Sequence, residues 1–82
     1  MNLVEMTEYL VKNVVSEPDM VTVKEFPSEN EDEIVIEVLV DEKDLGKVIG
    51  KSGKTANAIR TLVQASSYLQ DNKKVKINIE NF

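Results

Sequence analysis

The apolar positions of this chain follow two different periods. Over residues 2–15 they recur at helical spacing, with Leu3, Met6, Leu10 and Val14 in one stripe and Val4, Val11 and Val15 widening it. Ser16-Glu17-Pro18-Asp19 ends that pattern, because proline disfavours helical geometry in the residue before it. Residues 20–26, MVTVKEF, then read as a strand, and 27–32 as a polar turn. Residues 33–40, EIVIEVLV, alternate strictly and put Ile34, Ile36, Val38 and Val40 on one face. Asp41 is placed to cap a short helix over 42–48, with Asp44 three residues on, as in a capping box. Gly50–Gly53 reads as a turn and 54–68 as a second long helix. Asp71-Asn72-Lys73 turns the chain into a last strand, 74–80. There Val75, Ile77 and Ile79 face in, while Lys76, Asn78 and Glu80 face out. No repeat, linker or low-complexity segment interrupts the series.

The predicted order is α-β-β-α-turn-α-β. Three strands with helices on one face make an α+β two-layer sandwich. The sheet face left open is mostly polar, through Thr22, Lys24, Glu37, Lys76 and Asn78. The helix over 54–69 carries more apolar and small positions than one contact needs. Its arc spans about 180°, against about 100° for a single packed face. The surplus fits a ligand groove, a dimer interface or a deeply buried core helix, and periodicity alone does not choose among them.

An 82-residue chain forms one domain with a modest core. It has no Cys and no His. That excludes disulfides, thiol nucleophiles, imidazole bases and the usual zinc sites. Its fifteen carboxylates come with no metal-ligand or catalytic spacing, and most lie in the acidic first half and read as solvated surface, so no enzyme activity, metal or cofactor is expected. No apolar run approaches the roughly 20 residues of a membrane span. The N-terminal MNLVEMTEYL lacks a basic region ahead of an apolar block, so the expectation is no signal peptide and a cytoplasmic location.

The net charge of -5 argues against a polyanionic ligand until its distribution is seen. Residues 1–44 hold 13 acids and 3 bases, a net of -10; residues 45–82 hold 2 acids and 7 bases, a net of +5. From Leu45 to Gln70 there are Lys47, Lys51, Lys54 and Arg60 and no acid. A polyanion feels the local field over a Debye length of roughly 8 Å, more than the total charge.

That basic stretch contains GKVIGKSGKT. A nucleotide P-loop needs G-x-x-x-x-G-K-[ST], but Leu45 and Val48 stand where its first glycine belongs. The dinucleotide pattern G-x-G-x-x-G fails as well, since Gly46 and Gly50 are too far apart. Gly-x-x-Gly alone is only a helical hairpin turn. Its flanks say more. Val48, Ile49, Gly50, Lys51, Ser52, Gly53 and Ile59 resemble the KH domain signature, V-I-G-x-x-G-x-x-x-x-x-I. The element order is similar to type II KH domains, and the chain looks most like the small stand-alone bacterial KH proteins of the KhpA/YlqC type.

The resemblance implies a single type II KH domain over residues 1–82, in which 1–28 form an N-terminal α-β extension and 33–81 a β-α-α-β core with the GxxG loop at 50–53. It also implies single-stranded RNA binding, as a small RNA chaperone or post-transcriptional regulator. KH loops clamp the backbone of about four nucleotides. Carried over here, Gly50 and Gly53 allow the approach, and Lys51 and Ser52 supply N–H groups, a cation and a hydroxyl. The following helix N-terminus adds partial positive charge. Bases would lie in a groove bounded by the two helices and the Ile34–Val40 strand. Val48, Ile49 and Ala56 form its floor, with Lys47, Lys54 and Arg60 as nearby cations. The loop at 71–74 would bring Lys73 and Lys74 to its border. With only Tyr9, Phe26, Tyr68 and Phe82, and none in the best strands, the aromatic sheet of an RRM does not fit, and three strands are too few for an oligonucleotide-binding barrel. Weak, sequence-tolerant binding is the expectation. The alternative is a protein-interaction module that uses the KH fold to dimerise, or to join a larger KH-containing bacterial protein, with RNA secondary.

Overall fold

The alternating segments become the sheet, and the longer periodic segments become the helices that cover one side of it. A computed structural model describes all residues, Met1–Phe82. Helix α1 spans Leu3–Lys12, strand β1 Thr22–Phe26, strand β2 Glu33–Val40, helix α2 Leu45–Ile49, helix α3 Lys54–Gln70 and strand β3 Lys74–Asn81. The sheet order is β1-β2-β3. β1 pairs antiparallel to β2, with Val23 opposite Val38. β3 pairs parallel to β2, with Ile36 opposite Ile77. A parallel pair needs a crossover, and α2 with α3 supplies it. The fold is therefore α+β, a three-stranded sheet with the helices on one face.

Ile34, Ile36, Val38 and Val40 are all buried, as their alternation requires. They form one core with Leu3 and Val11 of α1, Val48 of α2, Ile59 and Val63 of α3, and Ile77 of β3. The open face carries Thr22, Lys24, Glu37, Lys76 and Asn78.

Helix α1 is shorter than 2–15. Asn2 and Glu5 close a capping box at its start, the Asn2 side chain accepting from Glu5 N at 2.8 Å and Glu5 accepting from Asn2 N at 3.2 Å. At its end the Asn13 side-chain amide donates to Tyr9 O at 2.7 Å. That bond takes up a terminal carbonyl, and Val14 and Val15 leave the helix. Pro18–Met20 forms a single 3-10 turn before β1, so the strand starts at Thr22 and not at 20. The chain over 42–48 also divides. Glu42–Asp44 is a 3-10 turn and α2 follows it.

The capping box expected of Asp41 and Asp44 does not form. Asp41 accepts from Lys43 N at 3.2 Å, a one-sided cap. Asp44 turns into the protein, fully buried. It accepts from Ser16 Oγ at 2.6 Å, Ser16 N at 3.0 Å and Glu17 N at 3.0 Å. The Lys47 ammonium lies 3.6 Å away. A buried carboxylate is tolerated only when so satisfied. The Ser16 hydroxyl bond, against the opposing effect of burial and with help from the two backbone N–H bonds and Lys47, lowers its pKa to about 2. Asp44 is the one carboxylate buried in the protein, and it ties the α1–β1 connection to the start of α2.

Candidate nucleic-acid interface

The turn between α2 and α3 consists of Gly50-Lys51-Ser52-Gly53, and three of its four residues have positive φ. Gly50 lies at φ 78°, ψ 172°, Ser52 at 56°, 27°, and Gly53 at 76°, 10°. Gly50 N donates to Gly46 O at 2.8 Å and ends α2, and Gly53 N donates to Gly50 O at 3.1 Å. The two glycines serve different ends. A Cβ on Gly50 would fall 2.3 Å from Thr55 Oγ1 and 2.8 Å from Thr55 N, so its missing side chain is filled from within. A Cβ on Gly53 would meet only Asn57 Nδ2, at 3.8 Å. Gly53 is the position with open space for another backbone. Ser52 holds a left-handed conformation that non-glycine residues adopt at a cost of about 1–3 kcal/mol. The type of residue at 52 gives no sign of it.

Lys51, Ser52, Lys54, Lys47 and Arg60 are exposed around this turn. Lys51 and Lys54 enter no ion pair, whereas Lys47 pairs with Asp44. The expected apolar floor is not assembled. Val48 and Ala56 are buried in the core, because a five-residue helix has one inward face and the first turn of α3 packs behind the loop. Only Ile49, 38% exposed, is available to a ligand.

The expected groove wall is also different. β2 is the central strand, hydrogen-bonded on both edges and covered by the helices, so it borders no groove. The strand beside α3 is β3. The outer edge of β3 is held by α3 side chains. Gln64 donates from Nε2 to Lys73 O at 2.9 Å and accepts from Val75 N at 2.9 Å. Ser67 Oγ donates to Lys73 O at 2.7 Å. Arg60 donates from Nη2 and Nε to Ile77 O at 3.2 and 3.4 Å. A shallow depression of about 470 Å³ lies along this seam, lined by Arg60, Thr61, Gln64, Ala65, Tyr68 and Val75. It shares only Arg60 with the expected site residues.

The surplus apolar arc of α3 stays uncovered. Ala56, Ile59 and Val63 face the core, while Ala58, Leu62, Ala65 and Leu69 stand exposed on the far side, Leu69 by 88%. No group of three or more acidic, His or Cys side chains could hold a metal ion, and no helix is long and apolar enough to cross a membrane.

A three-stranded α+β fold with a parallel β2–β3 pair, crossed over by two short-linked helices whose joint is Gly-x-x-Gly, is that of a type II KH domain. The chain belongs to the KhpA/KhpB KH-domain family, whose family model matches residues 4–79. It is 43% identical over 75 residues to the RNA-binding protein KhpA of Clostridium perfringens, an overlap of 92% of this chain and 96% of that protein. It is 44% identical over 75 residues to the RNA-binding protein KhpA of Chlamydia trachomatis, with 92% of each covered. The family is not one of enzymes. Among solved structures, Era in complex with MgGDPNP and nucleotides 1506–1542 of 16S ribosomal RNA shares the fold, with a TM-score of 0.68 and 23% identity over 96% of this chain. Aquifex aeolicus Era bound to GDP and aluminium fluoride does so with a TM-score of 0.70 and 22% identity over 98% of this chain. This chain spans 29% and 30% of those two Era chains.

Proposed function

We propose that this protein binds single-stranded RNA in the cytoplasm, through the Gly50–Gly53 turn and the basic surface around it, as a small RNA chaperone or post-transcriptional regulator. The observation that carries the reading is the turn itself: open space at Gly53, flanked by the unpaired cations Lys51 and Lys54, in a stretch without an acid. Gly53 admits the sugar-phosphate chain, Lys51 and Lys54 neutralise phosphate, Ser52 donates its hydroxyl, and the N-terminus of α3 adds partial positive charge. Lys47 is a weaker contributor, being already paired with Asp44. Ile49 supplies the apolar contact, and Arg60 marks the way along α3. Val48 and Ala56 act from behind, by fixing the loop. In this reading residues 33–81 are the RNA-binding core and 1–28 an extension that braces it through Ser16 and Asp44. The RNA-binding relatives support the same ligand class. Fluorescence anisotropy with a labelled unstructured RNA, over a range of salt, tests it. Affinity that falls steeply with salt is expected, since each neutralised phosphate of a single strand contributes a slope of about -0.7 in log K against log salt. Absence of binding at low salt rejects it.

The exposed stripe of Ala58, Leu62, Ala65 and Leu69 favours a second role, association with another copy or with a larger KH-containing bacterial protein. A dimer would set two weak sites on one particle, and a longer RNA would gain avidity from both.

A further inference from the structure

A buried carboxylate and an exposed cation meet at the start of α2, and a hydroxyl from the α1–β1 connection comes between them. Asp44 and Lys47 stand three residues apart and so share one side of the helix start. The Asp44 side chain is fully buried, whereas that of Lys47 is 55% exposed. Lys47 also lies in the last turn of α2, three residues before Gly50 opens the Gly-x-x-Gly turn. The two oxygens of Asp44 are supplied from the connection. Oδ2 accepts from Glu17 N at 3.0 Å. Oδ1 accepts from Ser16 N at 3.0 Å and from Ser16 Oγ at 2.6 Å, as many donors as its lone pairs take. The Lys47 ammonium faces the same Oδ1 at 3.6 Å, too far for a hydrogen bond. It is a loose counter-ion on a flexible stem, next to the turn.

We propose that Ser16 is a positioning residue for Lys47: its hydroxyl fills Asp44 Oδ1 and thereby leaves the Lys47 ammonium free to swing to an RNA phosphate at the turn. This rests on the RNA-binding reading above. Without the hydroxyl, Oδ1 keeps one backbone N–H, and a buried carboxylate short of a donor is costly. Lys47 is the cation at hand. A closure of about 0.8 Å brings it to the roughly 2.8 Å of a charge-assisted bond, and a lysine so engaged is drawn away from phosphate. Two of the three hydrogen-bond donors to Asp44 are backbone N–H groups, so Ser16 Oγ is the one that a substitution can remove. The connection would stay in place without it, through Ser16 N, Glu17 N and the Lys43–Glu17 ion pair at 2.9 Å. The hydroxyl therefore reaches RNA through Lys47 and not through the fold.

Anisotropy with a labelled unstructured RNA, over a range of salt, tests this on the parent, Ser16→Ala, Lys47→Ala and the double variant. A single phosphate contact contributes about 0.7 to the salt slope and is worth roughly 5- to 10-fold in affinity at about 50 mM salt. Ser16→Ala should lose as much affinity and slope as Lys47→Ala, and the double variant should lose no more than either. Without RNA, hydrogen exchange of the Lys47 ammonium, followed by NMR, should slow in Ser16→Ala. Should Ser16→Ala melt below the assay temperature, Ser16→Cys, whose thiol is only a weak donor, replaces it with the same expectations. If the serine variant keeps the parent's slope, water has taken the vacant place on Oδ1; the proposal is overturned and the turn reading stands. If it costs as much in the Lys47→Ala background as in the parent, Ser16 acts through the fold and the proposal is equally overturned. If the parent binds no RNA at low salt, both readings fall.

Discussion

Replacing Gly50 with Ala tests the internal role that the structure gives this glycine. The new Cβ would lie 2.3 Å from Thr55 Oγ1, 2.7 Å from Thr55 Cβ and 2.8 Å from Thr55 N. The hydroxyl can rotate away, but the backbone N belongs to the first turn of α3 and cannot move without shifting the helix. The residue would also stand at φ 78°, ψ 172°, a region essentially reserved for glycine, at a cost of about 1–3 kcal/mol. Forcing an extra carbon into a packed site adds roughly 1–3 kcal/mol. The sum, roughly 2–6 kcal/mol, is a large share of the total stability of a domain this size. Each kcal/mol shifts the melting temperature of such a domain by about 4–8 °C, so a drop of at least about 8 °C is expected. Two companions set the scale. Gly53→Ala meets no atom closer than Asn57 Nδ2 at 3.8 Å, and its cost is about 1–2 kcal/mol from the left-handed backbone alone. Gly46→Ala lies in α2 with nothing within 4 Å and should stabilise by about 0.4–1 kcal/mol. Thermal unfolding followed by circular dichroism gives all three values. A Gly50→Ala protein that melts within a degree or two of the parent, or that outlasts Gly53→Ala, refutes the reasoning.

Lys51→Asp combined with Ser52→Asp should abolish RNA binding in anisotropy while leaving the circular-dichroism spectrum unchanged, since both side chains are exposed on the turn. Lys54→Ala should weaken binding across all sequences and reduce the salt slope by about 0.7; a slope equal to the parent's would remove Lys54 from the phosphate contacts. Asp44 has a folded pKa of about 2, below its unfolded value of 3.8, so its contribution is present above pH 4 and is lost as pH falls through about 4 to 2. Asp44→Asn should therefore lose stability at neutral pH and show a flatter decline in urea midpoint between those values, and a decline as steep as the parent's would contradict the assignment. Sedimentation at several micromolar concentrations should show self-association that Leu62→Asp removes without unfolding, Leu62 being 50% exposed, and a parent that is monomeric throughout would return the stripe to plain surface.

The sheet was legible because alternation is a property of the chain itself. EIVIEVLV can bury only one set of residues, and β2 does so without exception. The turn was legible for a similar reason, since two glycines at fixed spacing restrict what lies between them. The ends of elements were harder. Helix α1 ends at its C-cap Asn13, whose side chain bonds Tyr9 O, although the apolar stripe runs on through Val14 and Val15. That Val48 and Ala56 lie buried in the core was not legible, because a short helix shows apolar residues without saying which face the core takes. Asp44 read as a capping acid because its spacing from Asp41 is local, whereas its actual partners Ser16 and Glu17 are brought to it only by tertiary folding.

The polar seam along β3 has a bearing on how copies of this protein can meet. An open strand edge is a template on which a second chain can add its own strand, and sheets that grow this way do not readily come apart. Gln64, Ser67 and Arg60 occupy Lys73 O, Val75 N and Ile77 O, three of the groups that such a strand would need along the first half of β3. At the opposite edge β1 is only five residues long and carries the exposed charges Lys24 and Glu25, one on each face. Both margins of the sheet are thus shortened as templates, one by its length and charge and the other by side chains bonded to its first half. A second copy, if it associates, would have to use side chains on helix surfaces, where association is reversible and each molecule keeps its own hydrogen bonds.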